Sequence, residues 1–403
     1  MRKTWLLTLP LLLCGCTVEG PEGFFVQLYG RIYDEQGDWV QGAQVSLATE
    51  EGALIASCTT DGDGWYSAVL LADEHRGHAL RIAVSAEGYA STEAWVDLDL
   101  VEGSPSALPA SPPQTWSLWS RELPALPLAL EVNSGQAEGD VVDAITGEAP
   151  EEEIGGHVGP VVFSVELREG WNAPDSERVV AGVETGEGVD GGHFLISGIP
   201  TGVYTARIPG TSGYTAARFP VLVRSSNART LRVAVSPALA SSEVRASLVW
   251  GGTPADLDLH ITGPRASVTP GDATWERFHV WSGAPYHPVN ASDVHDRVVA
   301  MERLDDDGDG PETVAVYDLR AEGEYRFSVF DASHATDSGA EDLSWSGALV
   351  QLWIGTHTPA FFEVAPGQQG NMWLAGAWDS EDDVLIRLQE LAYVDDQGDQ
   401  AQF

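Results

Sequence analysis

Short runs in which apolar and polar residues alternate recur along the whole chain, with clusters of Gly, Asp and Pro between them. Val45 and Leu47, or Leu80, Ile82 and Val84, stand at every second position, the spacing of a strand with one buried face. On this pattern the front of the chain predicts strands at 24–33, 43–48, 54–59, 65–71, 78–86 and 92–100. A second set falls at 132–143, 161–167, 178–185, 193–197, 202–208, 218–223 and 230–235. A third falls at 244–250, 256–261, 278–281, 298–303, 313–318, 324–331, 347–354, 360–364 and 371–378, with a surface loop at 289–298. Asp61-Gly62-Asp63-Gly64 and Glu87-Gly88 are turn signals between them. The predicted fold is all-β, three serial β-sandwich modules behind a leader. The expected boundaries are 1–15 leader, 16–23 tether, 24–103 first sandwich, 104–127 linker, 128–236 second sandwich, 237–395 third sandwich and 396–403 acidic tail. The linker reads as semi-rigid and extended because six prolines fall between Gly103 and Pro127. The two front modules are expected to act as spacers that project the third.

Composition narrows the function. The 403 residues carry 43 Gly and 23 Pro, and the formal charge is −40. Two of the 21 basic residues lie in the leader and none of the 61 acids does, so the chain from Cys16 onward carries 19 − 61 = −42. Such a surface repels nucleic acid and anionic headgroups. Lys3 is the sole lysine, which excludes a P-loop lysine, Schiff-base chemistry and a lysine base from the rest of the chain. The motifs Gly-x-Ser-x-Gly, His-Glu-x-x-His and paired Cys-x-x-Cys do not occur.

At the front, Arg2-Lys3 precede an apolar stretch, 5–13, that is too short to span a bilayer and reads as a signal peptide. It ends in Leu13-Cys14-Gly15-Cys16, which resembles the lipobox of bacterial lipoproteins. That resemblance implies lipidation at Cys16, an anchor of more than one acyl chain, and an outer-membrane address in a diderm envelope. Cys14 then leaves with the leader, Cys16 is acylated and Cys58 stands alone, which excludes an intrachain disulfide. Cys58 is expected to be a small buried hydrophobe.

Further resemblances rest on longer patterns. Gly30, Asp34, Gly37, Gly42-Ala43, Thr60-Asp61, Asp63-Gly64, Tyr66 and Gly88-Tyr89 follow one another as in the carboxypeptidase regulatory-like (transthyretin-like) domain. This implies a seven-stranded sandwich without catalytic residues of its own. Gly192, Phe194, Ile196, Gly198, Gly202 and Tyr204 resemble part of the same regulatory-like or Cna-B-like sandwiches, making the second module a degenerate repeat of the first, although the acidic insert at 148–153 fits poorly. Leu248, Trp250, Asp256-Leu257-Asp258-Leu259-His260, Gly263-Pro264, Gly310-Pro311-Glu312 and Tyr325 resemble the YfaP-like domain of bacterial envelope proteins, which implies a fold but no established activity.

Chemistry concentrates in the third module. Asp305-x-Asp307-x-Asp309-Gly310 resembles the front of a Ca²⁺ loop, but Val316 stands where an EF-hand needs its bidentate Glu. Glu312, with Asp256 and Asp258 from the preceding strand, is the candidate completion of a sheet-supported Ca²⁺ site, against the alternative of a solvated acidic turn. Trp250, Trp281 and Trp353 are candidates for a sugar-stacking face, against the alternative of core packing. The expected function is a membrane-anchored, non-catalytic adhesion, scaffold or binding protein of the cell envelope that meets a surface protein or polysaccharide and is stabilised by Ca²⁺. A carbohydrate-binding accessory protein, and a hydrolase with regulatory-like domains, remain open alternatives.

Overall fold

In this computed structural model the described residues are 25–71, 79–97, 118–132, 134–154, 157–186, 191–211, 213–224, 230–264, 277–288, 297–305, 308, 310–317, 323–381 and 383–394. The leader, the tether with Cys16, Asp307, Asp309 and the acidic tail lie outside them, as does most of the expected 289–298 loop.

The alternation at Val45, Leu47, Leu80, Ile82 and Val84 does what period two requires, and all five side chains are buried. They lie on strands β2 (Gln44–Thr49) and β5 (Ala79–Ser85), which form one sheet of the first module with β3 (Leu54–Thr59) and β6 (Thr92–Asp97) in the order β3-β2-β5-β6. The facing sheet is built on β1 (Phe25–Asp34), flanked by β4 (Trp65–Leu71) and, in parallel, by β7 (Leu118–Glu122) and β8 (Leu126–Leu128). The last two strands correct the linker at 104–127. Proline removes one ladder donor, but among the described residues β8 pairs with β1 alone, an edge position that tolerates Pro127 at its centre, and Leu126 and Leu128 are buried there. Cys58 is a second correction. It sits on β3, at the edge of its sheet, and is half-buried rather than interior.

The second module repeats this topology strand for strand. Its strands are β9 (Gly135–Asp143), β10 (Glu151–Ile154), β11 (His157–Pro160), β12 (Ser164–Glu169), β13 (Val179–Glu184), β14 (His193–Ile199), β15 (Gly202–Ile208), β16 (Ala217–Val223) and β17 (Thr230–Val235). The sheets run β13-β12-β15-β16 and β14-β9-β17, again with the first and last strands parallel. The acidic insert is the hairpin β10–β11, added between the first and second strands of the repeat.

A side-chain latch recurs too. In the first module Asp34 Oδ1 accepts the backbone N–H groups of Gln36 and Asp38, and the Tyr89 hydroxyl donates to Asp34 Oδ2 at 3.2 Å. In the second, Asp143 Oδ1 accepts from Ile145 and Thr146, and Tyr214 donates to Asp143 Oδ2 at 2.7 Å.

The third module is a larger sandwich. Its strands are β18 (Val244–Val249), β19 (Leu257–Pro264), β20 (Arg277–Val280), β21 (Tyr286–Pro288), β22 (Arg297–Arg303), β23 (Glu312–Val316), β24 (Glu324–Asp331), β25 (Leu349–Ile354), β26 (Ala360–Glu363), β27 (Met372–Asp379) and β28 (Val384–Ala392), with one helical turn α1 (Asp342–Trp345). Six strands pair as β21-β22-β23-β18-β25-β26 and five as β20-β19-β24-β27-β28, with Leu248, Leu259, Val329, Val350 and Trp373 in the core between them.

The modules do not stand in file as spacers. Trp171, between β12 and β13, accepts from Trp95 of β6 at 3.1 Å through its carbonyl and donates to Glu93 O at 2.7 Å. Its ring, 1% exposed, meets Phe361 of β26 edge-on at 5.2 Å. The outer face of the six-stranded sheet lies against the second module: Gln351 Oε1 accepts Ala234 N–H at 2.7 Å and Trp353 Nε1 donates to Ala216 O at 2.9 Å. The ring of Trp345 in α1 lies over Gly37 of the first module, where a Cβ would meet it at 2.1 Å.

Candidate functional site

Strand β19 positions the first half of the site. Leu257, Leu259 and Ile261 enter the core, which turns Asp258 and His260 to the opposite face of the sheet. That face is covered as well, so Asp258 is buried and His260 is 0% exposed. The second half comes from the loop between β22 and β23. Asp305 Oδ2 accepts the N–H of Gly310 at 2.5 Å, closing the turn, and Arg303 Nη2 approaches Asp305 Oδ1 at 3.7 Å. Gly310 is required there: its φ is +73° and a Cβ would stand 2.8 Å from Leu248 O. The loop lies against the segment before β19, with the Cβ position of Gly308 3.2 Å from Ala255 O. Glu312, at the start of β23 and 1% exposed, accepts the Leu259 N–H through Oε2.

Four acids therefore act on one another. Burial pushes the Glu312 carboxyl well above the usual range, the charges of Asp258, Asp256 and Asp305 add to this, and the Leu259 N–H opposes it. Burial likewise raises Asp258 to about 6, with Asp256 adding and a hydrogen bond from Ser282 opposing. Of the six acids singled out as Ca²⁺ ligands, Asp256, Asp258, Asp305 and Glu312 are thus brought into electrostatic range. Asp307 and Asp309 lie outside the described residues. Among the described residues no group of three His, Cys, Asp or Glu is set to hold a metal ion. One oxygen each of Asp305 and Glu312 is already committed to a backbone amide.

The sequence reading missed a buried imidazole pair beside these acids. His260 Nδ1 lies 2.8 Å from His279 Nε2, and His260 stacks on Trp281 with 5.4 Å between ring centres and 11° between planes. Burial holds His279 down at about 4 and His260 well below its ordinary value, so both are neutral at pH 7. His260 Nε2 is buried without a hydrogen-bond partner among the described residues. His279 and Trp281 stand two apart, like Asp258 and His260, so each pair shares a strand face; that signal was present. Their meeting depends on the β19–β20 register, Thr262 opposite His279, which a spacing within one strand does not reveal.

The three tryptophans named as a sugar face are not brought together. Trp250 is buried with Nε1 donating to Pro254 O at 3.0 Å, Trp353 faces the second module, and Trp281 packs on the imidazoles across the other sheet. Each ring is engaged in its own packing, so these three do not share one face.

Residues 27–109 match the family model of the carboxypeptidase regulatory-like domain. No curated protein matches the chain. Solved structures that share similarity include the Bacillus anthracis TIE protein, at 15% identity, covering 53% of this chain and 34% of that one with a TM-score of 0.19. Catechol 1,2-dioxygenase from Acinetobacter sp. ADP1 is 17% identical, covering 28% and 55% with a TM-score of 0.20. The shaft pilin spaA from Lactobacillus rhamnosus GG is 13% identical, covering 54% and 98% with a TM-score of 0.18. The chain spans about a third of the first of these and about half of the second. The first module of this protein is a carboxypeptidase regulatory-like domain.

Proposed function

We propose that the chain is a non-catalytic scaffold of the bacterial envelope, held to the outer membrane through Cys16 and presenting its third module to a surface protein or polysaccharide. The observation that supports this best is the three-way joint at Trp171, which ties the regulatory-like module to both of its successors. A joint of that kind holds the modules together as one scaffold. The lipobox-like Leu13-Cys14-Gly15-Cys16 and the formal charge of −40 fit an anchored, well-solvated envelope protein.

Labelled fatty acid fed to expressing cells tests the anchor. Label is expected on the wild-type chain in the membrane fraction and absent from Cys16→Ser, which moves to the soluble fraction; an unlabelled wild type ends the anchor reading. Hydrolase screening addresses the non-catalytic part, and a turnover abolished by Asp256→Ala would overturn it.

Calcium belongs to this proposal as the ion that neutralises the acids around the 304–311 loop and displaces protons from Glu312 and Asp258. Calorimetry on the full chain is expected to show Ca²⁺ heat with proton release at pH 6, weakened at least tenfold in Asp305→Asn. No heat in the wild type would leave the loop closed by its own backbone amides alone.

A further inference from the structure

The three modules meet around a cavity of about 130 Å³, several times the space one water needs. Its apolar walls include Phe219, Leu231, Leu349 and Trp250, drawn from the second and third modules. Its polar groups also come from different modules: Tyr33 from β1, Arg224 just after β16, Arg232 from β17 and Glu363 from β26. The Tyr33 ring is buried. Burial and then the charge of Glu363 push its hydroxyl upward, while Arg224 pulls it down, so both charges act at that hydroxyl.

Two of these groups are donors with no acceptor. Among the described residues neither the Tyr33 hydroxyl nor the Arg224 guanidinium makes a hydrogen bond or ion pair. Arg232 differs, since its Nη2 donates to Gly147 O at 3.1 Å. Two guanidiniums against one carboxylate leave the cavity positive inside a strongly acidic protein. A guanidinium on the wall of such a cavity pairs better with a planar oxyanion, which takes two of its N–H groups at once, than with water.

We propose that this cavity binds a small organic carboxylate, with its head on Arg224 and the Tyr33 hydroxyl and its apolar body against Leu349 and Trp250. Glu363 rejects a second negative charge, so the class is a monocarboxylate. Because the site draws on all three modules, its occupant also pins them together.

The test uses the full chain with sodium benzoate and sodium butyrate as probes, and benzamide as the uncharged control, read by calorimetry and by melting temperature. At least one carboxylate is expected to bind and to raise the melting temperature, with benzamide silent. Arg224→Gln is expected to weaken binding at least tenfold and Tyr33→Phe severalfold, the second change keeping the ring that packs the wall. If neither carboxylate binds, or if benzamide binds as well as benzoate, the cavity holds water and the proposal fails. It also fails if Tyr33→Phe and Arg224→Gln, each melting like the wild type without ligand, bind the probes unchanged.

Discussion

Asp258 shows how one buried acid sets a pH dependence. Its folded form keeps the proton up to about 6 against an ordinary value of 3.8. Between those limits the folded chain binds more protons than the unfolded one, so this residue's contribution falls as pH rises through the window. Glu312 has the same sign. His279, held down at about 4 against 6.5, has the opposite sign, and its contribution is present above 6.5 and lost as pH falls toward 4. The two nearly overlapping windows offset each other in the wild type, and substitution separates them. Asp258→Asn, which copies the neutral acid, is expected to stabilise the protein at pH 7 by about 1–2 kcal/mol and to add nothing at pH 4. Urea unfolding at the two pH values checks this; equal effects at both would show that Asp258 is ionised in the folded chain.

At the scale of elements, the repeat is carried by a polar latch as much as by apolar pattern. Asp34 with Tyr89, and Asp143 with Tyr214, occupy corresponding turns after the first strand of each module. Both tyrosines follow a glycine, Gly88 and Gly213, a parallel written in the sequence and overlooked in favour of the Gly202-x-Tyr204 corner. The Tyr204 hydroxyl bonds instead to Pro200 O at 2.9 Å, four residues back. The latches differ in depth, since Tyr214 is buried and its bond short, whereas Tyr89 is half-buried and its bond long. Tyr214→Phe is therefore expected to cost about 1–2 kcal/mol by stranding the Asp143 oxygen, and Tyr89→Phe about 0.5 kcal/mol or less. Denaturant melts of the two variants give the comparison, and equal losses would remove burial as the cause.

For the whole molecule, the side chain to change is Trp171. It bonds through its backbone to β6 of the first module, sits in the second, and packs on Phe361 of the third, with the Arg387 guanidinium 5.2 Å from its ring centre. Trp171→Ala removes a buried aromatic ring and is expected to cost about 3–5 kcal/mol. The loss falls on the joint, so scanning calorimetry should show a single transition in the wild type resolving into separate module transitions in the variant. A variant that still melts in one step at a lower temperature would place the coupling elsewhere, at Gln351 or Trp353.

The sequence alone determined the all-β, multi-module sandwich class and most of the strands, because period two along a strand is a local property that needs no neighbour. It also marked the acids Asp256, Asp258, Asp305 and Glu312, whose types and spacing are local as well. Three kinds of feature came only from tertiary structure. Strands β7 and β8 pair with a partner about ninety residues earlier, and that pairing overrides the proline signal. The imidazole pair needs a register between two strands. The packing of Trp345 on Gly37, and of Trp171 on Phe361, joins segments from different modules. Pairing, register and docking are relations between distant segments, decided by which surfaces exclude water from each other, and no window of sequence contains both partners.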